Sequence, residues 1–121
     1  MRFLPEEIEL ARKLNTAELP WEPGTGQYVW DETGLIADCP SPFHDHIYYI
    51  LDIKHFLRRA GTIEHLKASM FWLPTWYDCR RLLIEMNVPT ELICQKLDSQ
   101  IIKTGKERLA LYQLLEEKLK S

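Results

Sequence analysis

The sequence predicts an α+β fold, mainly α: an N-terminal helix, one β-hairpin, then an antiparallel bundle of four to five helices. Three observations carry this expectation. Apolar residues recur at helical spacing through the second half, as in Ile63, Leu66, Met70 and Leu73, or Trp76, Cys79, Leu83 and Met86. Prolines and glycines fall between these runs, where continuing a helix is costly. The best strand-like pattern lies at 27–30 and 35–38, on either side of Asp31-Glu32-Thr33-Gly34. At 121 residues the chain is read as a single domain, 1–121. Within it, 1–18 is the N-terminal helix, 19–40 the loop and β-hairpin, and 41–121 the helical bundle.

Each element has its local reason. Pro5 suits the first turn of a helix, where its missing N–H has no partner to lose. Glu6, Glu7 and Glu9 follow at the positive end of the helix dipole. The helix is expected to stop near Asn15, before Pro20. The stretch from Leu19 to Gly26 holds two prolines and two glycines and reads as a structured loop. Tyr28 and Trp30 would share one strand face, Leu35 and Ala37 another. Ser41 is expected to cap a central helix over 44–60, whose apolar arc is His46, Tyr49, Ile50, Ile53, Phe56, Leu57 and Ala60. Thr62 is expected to cap a helix over 63–73. Thr75 and Asp78 make a capping box for a helix to about Met86. Further helices are expected over 90–103 and 106–118.

Composition narrows the function classes. The net charge is −3, so no basic field over the whole chain attracts nucleic acid. Residues 1–38 hold three basic and eight acidic side chains, and 39–121 hold twelve and ten, an acidic front on a near-neutral body. Three cysteines without a CxxC spacing argue against a disulfide framework and fit a reducing compartment. No apolar run approaches the ~20 residues that span a bilayer, and the acidic start lacks the apolar core of a leader peptide. A cytoplasmic, bacterial-type protein is expected, without a membrane and without a cofactor.

On the central helix, Asp45, Tyr48, Asp52, His55 and Arg59 would gather on one polar stripe. Asp52 beside His55 would suit a general base, and Arg59 an anionic substrate. These three are the catalytic candidates, against the plainer reading of a solvated face. Cys39, His44 and His46 are candidate metal ligands, but the set is incomplete and His44 and His46 would point apart on a helix. His65 stands alone. Gly24-Thr25-Gly26 and Thr104-Gly105-Lys106-Glu107 fail as phosphate loops.

Four tryptophans are many for this length. Trp72 and Trp76 straddle Pro74 and read as the aromatic corner of a core. Trp21, Tyr28 and Trp30 lie near turns, where burial is harder, and are the candidates for an exposed partner-binding surface. Arg58, Arg59, Arg80 and Arg81 are the candidates for nucleic-acid contact, diluted by Asp52, Glu64, Asp78 and Glu85. Cys79 and Cys94 lie on or beside apolar stripes and read as buried, inert thiols. Leu109, Leu111, Leu114, Leu115 and Leu119 cover a wide arc of the last helix and suggest a homodimer. The leading expectation is a non-enzymatic interaction or adaptor module with a protein partner. A small enzyme using Asp52, His55 and Arg59 ranks behind it, and a nucleic-acid regulator last.

Overall fold

In the computed structural model, which describes residues 2–39, 41 and 46–120, the chain divides into two compact units. The first is Pro20–Leu73 with Arg2. The second takes Phe3–Leu19 and the chain from Pro74 onward. The described residues hold seven helices and one three-stranded antiparallel sheet, so the α+β, mainly helical expectation stands.

The first unit is built on strand β1 (Tyr28–Asp31), which pairs on one side with β2 (Ile47–Tyr49) and on the other with β3 (Met70–Leu73). In this register Val29 lies opposite both Tyr48 and Trp72, and Trp30 opposite Ile47 and Phe71. Every residue of β3 is buried. Helices α2 (Ile53–Ala60) and α3 (Ile63–Ser69) pack against each other, and α3 leads directly into β3.

The expected hairpin is corrected here. Residues 35–38 form turns instead of a second strand. The cause is Asp31. Its buried carboxylate accepts the N–H groups of Leu35 and Ile36, both at 2.9 Å, and Gly34 takes a φ of 79°. A side chain that bonds the backbone so close in sequence competes with a strand ladder and winds the segment up. The true partners of β1 come from segments read as helical. Ile47–Tyr49 belongs to an unbroken run of β-branched and aromatic residues, and Met70–Leu73 is a continuous apolar run. Such short runs fit a buried strand as well as a helix face.

The central helix is therefore shorter than 44–60. It starts only after Asp52, whose carboxylate accepts the Lys54 N–H at 3.0 Å, and it stops at Gly61, where φ is 87°. The Ser41 hydroxyl donates to the Ile47 carbonyl, and the N–H groups it was expected to cap lie outside the described residues. Thr62 caps α3 as expected, accepting the His65 N–H at 3.0 Å.

The second unit is all helix. It joins α1 (Pro5–Thr16) to α4 (Trp76–Glu85), α5 (Thr90–Lys96), α6 (Ser99–Thr104) and α7 (Glu107–Lys120). The Thr75–Asp78 capping box is present in both directions. The helix expected over 90–103 is broken in two, because Asp98 accepts the Ile101 N–H and caps a new start in mid-segment. Packed against α1, α4, α5 and α6, α7 buries Ala110, Leu111, Tyr112, Leu114 and Leu115. Of the wide leucine arc of this helix, Leu111, Leu114 and Leu115 are thus buried within its own unit, while Leu109 and Leu119 are half-buried. The segment 41–121 is not one run of helices: β2 and β3 lie in it, and it changes units after Leu73.

Candidate functional site

The catalytic candidates do not converge. Asp52 sits ahead of α2 as its cap, and its contact with His55 is a backbone one, the His55 N–H on the Asp52 carbonyl at 3.1 Å. Tyr48 is buried in β2, with its hydroxyl donating to the Cys39 carbonyl. Burial raises the Tyr48 phenol above its ordinary value. Asp45 and His44 lie outside the described residues. Arg59 turns to a carboxylate that sequence reading did not consider. Its guanidinium grips both oxygens of Asp38 and donates to the Leu35 carbonyl at 3.2 Å. That bidentate contact holds the Asp38 carboxyl below its usual value and raises the guanidinium in turn. The pair fastens the turn at 35–38 to α2. Its arginine is thus already committed to a partner within the unit.

Of the metal candidates, His46 uses Nδ1 on the Asp31 carbonyl at 2.9 Å, and its ring stacks on Trp30 with centroids 4.9 Å apart. Among the described residues no three His, Cys, Asp or Glu side chains stand together as a ligand set.

The aromatic candidates at 21–30 are mostly spoken for. Trp21 is buried, not exposed, and its Nε1 donates to Gln27 Oε1 at 2.9 Å. The same oxygen accepts the Gly24 N–H at 3.0 Å, so one amide holds the Pro-Gly loop closed over the tryptophan. Tyr28 and Trp30 are half-buried. Tyr28 packs on Tyr49, and Trp30 stacks between His46 and Phe71.

The nucleic-acid candidates are split between the units, Arg58 and Arg59 in the first, Arg80 and Arg81 in the second. The helix–Pro74–helix joint is not a helix-turn-helix, since strand β3 runs up to the proline. Arg81 is paired along its own helix with Glu85 at 2.9 Å.

Sequence reading missed the outward face of α4. Cys79, Leu82 and Leu83 point inward and are buried. Tyr77 and Ile84 lie about 150° away on an ideal wheel and are 69% and 59% exposed. They line a concavity of about 370 Å³ with Arg80, Arg81 and Glu85. Arg80 stacks over the ring of Trp76, 4.7 Å from its centroid. On the other side of that stack, Trp76 lines a second concavity of about 490 Å³ with Ile102, Gly105, Glu107 and Arg108. Trp76 is thus outside the core, against expectation, whereas Trp72 is buried. The signal was available in the wheel: Tyr77 and Ile84, seven residues apart, fall off the core stripe of their own helix. Cys94 is likewise exposed, not buried, while burial pushes the Cys79 thiol far up.

Comparison with protein-family models, curated proteins and solved structures found no significant match for this chain.

Proposed function

We propose that this chain is a protein-interaction module, and that its contact surface is the outward face of α4 with the adjoining edge of α6. One observation carries the reading. Of the seven exposed large apolar side chains among the described residues, Trp76, Tyr77, Ile84 and Ile102 line the two concavities beside the Trp76–Arg80 stack. Scattered exposed apolar residues need no explanation, but clustered ones mark interaction surfaces. Trp, Tyr and Arg are the residue types that carry most binding energy at interfaces. The aromatic loop at 21–30 carries less of the reading, because Trp21 is buried.

The test is a photo-crosslinking amino acid placed at Tyr77 and, as control, at the exposed Leu51 of the first unit. In cells, the Tyr77 position should give a discrete heavier adduct that Ile84→Glu removes, and the Leu51 position should not. Adducts that are identical at both positions, or indifferent to Ile84→Glu, overturn the proposal.

A further inference from the structure

Building on that reading, we propose the chemistry of the partner: an amphipathic helical segment with two apolar anchors and a carboxylate between them. The argument rests on how Arg80 is held. Among the described residues no carboxylate or carbonyl bonds its guanidinium, and its contact is the Trp76 ring. A guanidinium held over a ring face in this way uses its charge on the ring and keeps its N–H groups for a further partner. The N–H fork of a guanidinium matches a carboxylate with two parallel hydrogen bonds.

The carboxylates nearest in sequence are already engaged. Glu85 is paired with Arg81, and Asp78 accepts the Thr75 N–H at 3.0 Å. In the second concavity the Arg108 guanidinium is taken up by Glu7. Among the described residues Arg80 is therefore the arginine of this surface left without a carboxylate; it lines one concavity, and the Trp76 ring it lies over lines the other, together with Glu107. An acidic group lying over Arg80, with an apolar side chain entering each concavity, meets all three features at once. Helices that dock into grooves present their anchors in this way, along one face. A basic or uniformly polar segment would leave the exposed Trp76, Tyr77, Ile84 and Ile102 in water or set like charges together.

The probe is a synthetic alanine-rich helical peptide carrying two leucines about two turns apart with two glutamates between them. A second peptide has lysines in place of the glutamates. Binding is followed by amide chemical shifts of the full chain. The glutamate peptide should perturb residues around Tyr77, Arg80 and Ile84 and should bind Arg80→Glu at least ~10-fold more weakly. The lysine peptide should show the reverse preference, which a mere loss of folding would not produce. Equal binding of both peptides, binding by neither, or shifts outside this face overturns the proposal. Shifts of the same residues on concentrating the protein alone would assign the surface to a second copy and also overturn it. A crosslink at Tyr77 that survives while the peptides fail leaves the interaction surface standing and removes only the acidic-helix chemistry.

Discussion

Arg108 grips the Glu7 carboxylate through two nitrogens, Nε on Oε2 and Nη2 on Oε1, and so ties α1 to α7 across 101 positions of sequence. The same carboxylate accepts the Leu4 N–H at 2.8 Å, which caps the start of α1. The guanidinium in turn lies 4.1 Å from the centroid of Phe3. Both side chains are largely withdrawn from water, at 3% and 16% exposure. Removing one member strands the other charge, which costs about 3–5 kcal/mol at buried pairs. Arg108→Ala should therefore lower the unfolding free energy by about 3 kcal/mol or more, read from denaturant midpoints. Replacing both by apolar residues of similar volume should recover most of that loss. A single substitution that is neutral would show that the pair is solvated.

Asp38 and Arg59 offer a test of a different kind. Hydrogen bonds from Arg59 lower the folded carboxyl's pKa. A carboxylate lowered on folding contributes stability that is fully present above its unfolded value. The contribution is lost as pH falls through the lowered folded value. Carboxyl NMR should show Asp38 titrating below the ordinary Asp value, and Arg59→Ala should move it back up. An unchanged titration in the variant would separate the two groups. Both lie at the surface, so the effect on overall stability is small.

The three cysteines should differ sharply in reactivity. Cys94 is exposed, Cys39 half-buried and Cys79 buried. Burial raises the Cys79 thiol's pKa well above that of a free thiol and starves it of reactive thiolate. A thiol reagent at neutral pH should modify Cys94 first and Cys39 more slowly, with Cys79 reacting only on unfolding. Mass spectrometry of the time course, with site mapping, checks the order.

Asp31 should be the costliest polar residue of the first unit to lose. Its two carboxylate oxygens satisfy two backbone N–H groups in a site 1% exposed. Asp31→Ala would leave both without partners, at about 1–3 kcal/mol each when buried. Loss of slow-exchanging amide protons at Leu35 and Ile36 is the specific readout.

The outward face of α4 should behave oppositely to its inward face. Tyr77→Ala and Ile84→Ala should each change stability by no more than about 0.5 kcal/mol. Leu83→Ala, at a fully buried site, should cost about 2–5 kcal/mol. Thermal denaturation of the three variants is enough to check this.

Much of the helical framework was legible because its signals are local. Pro5, Thr62 and the Thr75–Asp78 box announce helix starts through bonds that reach three residues at most. The sheet was not legible for the opposite reason. Which segments pair with β1 depends on residues 17 or more positions away, and no turn motif links them. A buried aspartate overrode the one apparent hairpin, since Asp31 serves equally as a turn former and as a strand end. At the surface, Arg59 had a nearer candidate in Asp52, but folding brought Asp38 to it across 21 positions. The α4 face was missed because Trp76 was taken for core, although the wheel of the same helix already sets Tyr77 and Ile84 apart from its core stripe.

The division of the chain has a consequence for its birth on the ribosome. Apart from Arg2, the sheet unit is the stretch Pro20–Leu73, which in sequence falls between the first helix of the helical unit and its other four. At about 5–20 residues per second, α1 emerges roughly 5–20 s before α7, the helix that covers it. During that interval the sheet unit has all its strands and can close. The apolar side of α1 has no finished partner and stays open to chaperones until the last turns are made.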